Sequence, residues 1–196
     1  MKSVCIYCGS NAGALVEFAT AARACGEQLA RRGTAVVYGG GNVGLMGAVA
    51  DGALSVGGEV IGVIPHHLAD KELAHAGATQ MLRVDTMHER KHRMAELSEG
   101  FIVLPGGIGT LEEMFEVFTW LQLGLHSKPI GVLNIASFYD PLLGFLDGMV
   151  AAGFLRKEHR EMLLVEAELG ALLVRMEAFT VPQLGKWWHQ ALDQSK

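Results

Sequence analysis

"AVVYGGGNVGLMGAVADGALSVGGEVIGVIP", residues 35–65, decides the fold. Val36, Val37 and Tyr38 make a short β-prone run that ends in three consecutive glycines. An Ala-rich helical stretch follows, and then a second β-branched run, "EVIGVIP". Two strands joined through a helix lie parallel, because the crossover returns the chain to the same end of the sheet.

The same alternation extends in both directions. Towards the N-terminus, "SVCIY" reads as a buried strand, and Leu15, Phe18, Ala22, Cys25 and Leu29 recur at helical spacing. Towards the C-terminus, residues 66–79 read as an irregular loop bearing histidines, and "QMLRV" as a short strand. Residues 86–97 read as a helix with Thr86 at its N-cap. "GFIVLPGG" is a strand stopped by a Pro-Gly-Gly turn, followed by a helix over 110–123. "KPIGVLN" is another strand, residues 139–152 a helix behind "YDP", and "EMLLVE" a last strand before further helices. Continuously apolar strands alternating with helices predict an α/β fold, a parallel sheet with helices on both faces. A single domain is expected over 1–196, with a peripheral tail from about 180.

Half the residues are apolar, which suits a packed core, and the net charge of −5 gives no electrostatic case for nucleic acid or an anionic membrane. No apolar run approaches membrane-spanning length, and "MKSVCIYCGS" lacks the features of a signal peptide. Cys5 and Cys8 form C-x-x-C at the end of the first strand. With no second C-x-x-C a zinc ribbon is excluded. A redox pair and small core residues in a reducing compartment both stand as readings. A cytoplasmic protein is expected.

Glycines cluster at three strand ends: Gly9, Gly39 to Gly44, and Gly106 to Gly109. Ligands of open α/β sheets sit beyond the carboxyl ends of strands. Gly39-x-Gly41-x-x-Gly44 has the formal spacing of a dinucleotide fingerprint. That fingerprint needs an acid at the end of the next strand, which here ends "VIPHH", with Glu59 at its wrong end. What survives is a pair of glycine loops whose backbone N–H groups can face an anion at a helix N-terminus. "LPGGIGTLEE" makes the same case: Pro105 stops the strand, glycines turn the chain, and Thr110 brings a hydroxyl to the helix start. Glu112 and Glu113 in its first turn either complement the helix dipole or do chemistry. Two anion-ready loops suggest a phosphorylated small molecule, a nucleotide.

"MHERKHRMAEL" (87–97) contains His88-Glu89-Arg90-Lys91-His92, a match to the zinc-protease string H-E-x-x-H. A helical wheel argues against zinc. Met87, Met94 and Leu97 form the apolar stripe, Arg90 and Lys91 flank it, and His88 and His92 project to the polar side. Two inward cations are the anomaly, because buried charge is costly unless paired. Either they snorkel at the rim or they face an anionic ligand or a carboxylate such as Glu113.

"MHERK" and "PGGIGTLEE", the P-G-G-x-G-T-x-x-E motif, resemble the LOG ("Lonely Guy") family of cytokinin riboside 5′-monophosphate phosphoribohydrolases, whose bacterial members were long labelled lysine decarboxylases. The resemblance runs from "CIYCGS" through "YGGGNVGLMG", "TWLQLGLHSKPIGVLN" and "FYDPLL" to "GFL" near residue 155, about four-fifths of the chain. It implies a Rossmann-like, doubly wound domain, a homodimer with the site near its interface, and no cofactor or metal. It implies Arg90 and Glu113 as the essential pair, with Glu113 handling water or an oxocarbenium ion and Arg90 positioning substrate and pairing with Glu113. Its nucleotide contacts fall on Glu72, Lys91, Thr119 and the run Gly107, Ile108, Gly109, Thr110, Leu111 and Glu112. Gly106, Gly9, Ser10, Gly40, Gly41, Gly44 and Met87 complete the expected site. The expected reaction hydrolyses the N-glycosidic bond of a purine (cytokinin riboside or adenosine) 5′-monophosphate, releasing free base and ribose 5-phosphate. The alternative is a non-catalytic sensor of AMP-like nucleotides.

Overall fold

In the computed structural model, which describes residues 1–69 and 74–182, the chain runs β1 (Ser3–Tyr7), α1 (Val16–Arg31), β2 (Ala35–Tyr38), α2 (Gly44–Leu54) and β3 (Val60–Pro65). It continues through α3 (His66–Ala69), β4 (Gln80–Val84), α4 (Met87–Glu96), β5 (Phe101–Val103), α5 (Ile108–Gln122) and β6 (Ile130–Leu133). The last described elements are α6 (Asp140–Ala151), α7 (Lys157–Glu161), β7 (Leu163–Glu166) and α8 (Leu169–Glu177). All seven strands pair in parallel in the order β4-β3-β2-β1-β5-β6-β7. The tail beyond 182 lies outside the described residues.

Alternation along β1 divides the core in two. Val4, Ile6 and Cys8 point into a layer with α1, α2 and α8, while Cys5 and Tyr7 point into a layer with α4, α5 and α6. The central strands are buried on both faces, which is why they read as unbroken apolar runs. All seven expected strands form. The loop over 66–79 begins instead with the single turn of α3, and α7 is an added short helix. Helix α5 buries Met114, Val117, Phe118 and Leu121, while Leu111 and Phe115 are only half-buried. The helix is apolar on most of its circumference, so periodicity alone does not orient it.

Helices α1 and α2 approach through glycine on both sides. A Cβ on Gly26 would lie 2.0 Å from the Val49 carbonyl oxygen, and one on Gly52 would lie 2.0 Å from that of Arg23. Neither position has room for a side chain. The strand order reverses between β1 and β5, the topological switch point of such a sheet. There Gly9 N–H donates to the Pro105 carbonyl (3.0 Å) and Leu104 N–H to that of Tyr7 (2.9 Å).

Candidate active site

A cavity of about 320 Å³ opens at this switch point. Its walls come from the ends of β1 and β2, from α3, from α4 and from the start of α5.

Helix α4 is set by its cap. Thr86 Oγ1 accepts from Glu89 N–H (3.1 Å), and Asp85 N–H donates to the Glu89 carboxylate (2.9 Å). This register turns Arg90 and Lys91 inward, where both are buried, and leaves His88 and His92 exposed. His92 lies 3.1 Å from Glu96 on the outer face. The wheel therefore holds for all four side chains.

Arg90 is pinned by main chain. Its Nε donates to the Val63 carbonyl (3.2 Å) and its Nη2 to that of Gly39 (3.0 Å). Hydrogen bonds from a charged donor are worth about 1.5–3 kcal/mol each, which offsets the cost of burying the guanidinium. Gly39 is required here, since a Cβ on it would fall 2.0 Å from Arg90 Nη2. Nη1 touches only the Met87 sulfur (3.7 Å), so one N–H on each terminal nitrogen has no acceptor among the described residues.

At the opposite wall, α5 starts at Gly107 with no side-chain cap. The N–H groups of its first turn lack intrahelical acceptors, and Gly107, Ile108, Gly109 and Thr110 all line the cavity. Glu113 lies one turn in. Burial pushes its carboxyl up to about 7, opposed by the nearby Arg90 charge and supported by Glu112. A carboxyl so shifted in a cleft has the titration range that acid–base chemistry uses.

The expected site divides. Arg90, Glu113, Gly107, Ile108, Gly109, Thr110, Glu112, Gly9, Ser10 and Met87 line one cavity. Gly106 lines an adjoining cavity of about 280 Å³ with Phe18 and Phe138. Gly40, Gly41 and Gly44 support the wall from behind. Gly41 bridges to Ala74, and Gly44 packs against the Ser10 main chain. At the N-terminus of α2, Leu45 N–H is taken by the Gly9 carbonyl (3.0 Å), and Gly40, Gly41 and Gly44 do not line the cavity. Leu111 packs into the core, and Thr119 is exposed with its hydroxyl on the Phe115 carbonyl. Glu72 lies outside the described residues.

Two expected partnerships differ. Among the described residues no ion pair joins Arg90 to Glu113; backbone carbonyls hold the guanidinium instead. Lys91 does not line the cavity, and its Nζ lies 2.5 Å from Glu112 and 3.0 Å from Glu116. Glu112 is thus not an uncommitted twin of Glu113. Ile6, Cys8, Gly39, Met46 and Leu68 also line the cavity but were not among the expected contacts. Only Gly39 carried a signal, as the first residue of its glycine cluster.

Comparison with known proteins points the same way. The family model described as "Possible lysine decarboxylase" matches residues 46–176. A probable cytokinin riboside 5′-monophosphate phosphoribohydrolase of Oryza sativa subsp. japonica is 46% identical over 177 residues, 90% of this chain and 79% of that protein. The cytokinin riboside 5′-monophosphate phosphoribohydrolase LOG of the same plant is 41% identical over 99% of this chain and 81% of its own length. The chain belongs to the LOG family. A molybdenum cofactor binding protein of Rippkaea orientalis shares the LOG-family fold, with a TM-score of 0.68 over 91% of this chain and 97% of its own at 18% identity. The decarboxylase description implies pyridoxal phosphate chemistry. Amino-acid decarboxylation of that kind needs a lysine amine to carry pyridoxal phosphate. Among the described residues no lysine lines the cavity, and the Lys91 ammonium is engaged by two carboxylates that hold its proton on.

Proposed function

We propose that this LOG-family protein hydrolyses the N-glycosidic bond of purine nucleoside 5′-monophosphates, cytokinin ribotides or AMP, to free base and ribose 5-phosphate. The observation that carries the reading is the Glu113 carboxyl, raised to about 7, in one cavity with a pinned guanidinium and an uncapped helix N-terminus. The 5′-phosphate takes the N–H groups at the start of α5 and the Thr110 hydroxyl. Ribose then lies between Arg90 and Glu113, with Met46, Leu68 and Met87 offering an apolar wall to the base. As the C1′–N bond breaks, its electron pair leaves with the purine, whose ring nitrogen ends with the proton that the attacking water gives up, passed on from Glu113 through solvent so that the carboxylate is restored. Ionised Glu113 faces the oxocarbenium ion and accepts a proton from the water whose oxygen bonds to C1′. Arg90 fixes the substrate with its two remaining N–H groups.

The working unit is a homodimer. Ile108 (82% exposed) at the cavity mouth and Leu123, Leu125, Phe145 and Phe154 (85% exposed) leave apolar side chains uncovered. Among the described residues no helix is long and apolar enough to cross a membrane. Cys5, Cys8 and Cys25 are free thiols, which suits the cytoplasm. Chromatography of products from a panel of nucleosides and their mono-, di- and triphosphates tests the activity. Free base appearing from monophosphates supports it, and no base released from any member refutes it. Light scattering tests the dimer: a mass near 21.0 kDa, that of one chain, would refute it.

A further inference from the structure

Among the described residues, Lys91 is the most deeply placed cation whose charge the proposed reaction does not use. Its side chain is 7% exposed, and its Nζ reaches across from α4 to two carboxylates one turn apart on α5, Glu112 at 2.5 Å and Glu116 at 3.0 Å. Glu112, 52% exposed, lines the cavity beside the helix start where an anion would bind; Glu113 is its neighbour, and Glu116 lies one turn further on. Three carboxyl groups thus crowd the first turns of α5. An uncompensated Glu112 would repel a phosphate, and Glu112 and Glu116 would each disfavour ionisation of Glu113.

We propose that Lys91 is a positioning residue: by binding Glu112 and Glu116 it neutralises the cavity mouth for an anionic substrate and holds Glu113 ionisable, without itself touching the nucleotide. The inference rests on the reading of Glu113 given above. It departs from the role that resemblance assigns, since Lys91 Nζ faces carboxylates and the residue does not line the cavity. The groups facing Glu113 agree with it in sign. Arg90 and Lys91 from α4 favour its charged form, while Glu112 and Glu116 on its own helix oppose it. Cys5 and Tyr7 of β1, and Cys8 just after it, face it as neutral groups, their titration driven upward by burial.

The test compares kcat/KM for AMP against pH in wild type, Lys91→Met, Glu116→Gln, Glu113→Gln and the triple variant Lys91→Met/Glu112→Gln/Glu116→Gln. Lys91→Met frees two carboxylates, so the acid limb should move to higher pH by on the order of half a unit or more, with kcat/KM at pH 7 down about tenfold. Glu116→Gln removes one like charge, so its limb should move a few tenths of a unit, on the order expected for one helical turn, to lower pH. The triple variant removes the whole network and should regain at least about threefold in kcat/KM over Lys91→Met, because no carboxylate is left unpaired. If Lys91 contacts the phosphate directly, the triple variant will be as impaired as Lys91→Met, and the proposal falls. An unmoved limb in Lys91→Met, with Glu113→Gln inactive, overturns the proposal alone. Should Lys91→Met not fold, an unmoved or alkaline-shifted limb in Glu116→Gln overturns it equally. Full turnover by Glu113→Gln would overturn the reading of Glu113 and this inference with it.

Discussion

Replacing Glu113 with Gln should make the protein more stable and nearly inactive, and the stability gain should depend on pH. The carboxyl titrates at about 7 in the folded chain against an ordinary 4.5. Below 4.5 both folded and unfolded chains hold the proton, and the group is neutral to folding. Between 4.5 and about 7 the folded chain binds a proton that the unfolded chain has lost, so stability falls as pH rises. Above 7 the full cost of a buried charge is present. At about 1.36 kcal/mol per pKa unit the ceiling is about 3 kcal/mol. Partial solvent access lowers this to roughly 2 kcal/mol. Glu113→Gln removes the charge, so urea denaturation should find it about 2 kcal/mol more stable than wild type at pH 8 and about equal at pH 4.5. Adenine release from AMP should fall by about 10²–10³ while AMP still binds. Equal stability differences at both pH values, or a variant less stable at pH 8, would refute the account of Glu113.

AMP should be cleaved at least about a hundredfold more efficiently than adenosine, because two or three charge-assisted hydrogen bonds at the start of α5 are lost without the phosphate. Steady-state kinetics on both substrates check this. Arg90→Ala should be nearly inactive and Arg90→Lys little better, since an ammonium cannot span the Gly39 and Val63 carbonyls and still face a ligand. Combining Arg90→Ala with Glu113→Gln should cost much less than the two losses added. Gly52→Ala should destabilise the fold by about 2 kcal/mol, measured by denaturation, because its methyl meets the Arg23 carbonyl. Elemental analysis should find no stoichiometric zinc, since His88 and His92 point outward from α4.

The strands were legible because burial on both faces leaves no polar alternation to confuse, as in "SVCIY" and "AVVY". The wheel placed Arg90 and Lys91 inward, but it could not name their partners. Those lie elsewhere in the chain: Val63 and Gly39 for Arg90, Glu112 and Glu116 for Lys91. Direction along a glycine loop was hidden for the same reason. Whether Gly44 faces an anion or the Ser10 main chain depends on how two loops meet, which spacing does not encode. Leu68 reaches the cavity only because α3 forms where a loop was expected, with Ala74 and His75 further on tied back to Gly41 and Gly40.

The paired glycines between α1 and α2 bear on how this enzyme's specificity can change. Each helix issues from a segment that borders the cavity, α1 from the one carrying Gly9 and Ser10, α2 from the one beginning at Gly39. Backbone-to-backbone contact at Gly26 and Gly52 acts as a fixed calliper between those segments. At these two positions no side chain can be introduced without pushing the helices apart. If the base binds where we propose, adaptation to a larger or smaller base falls to Met46, Leu68 and Met87, whose side chains can vary while the backbone spacing stays constant.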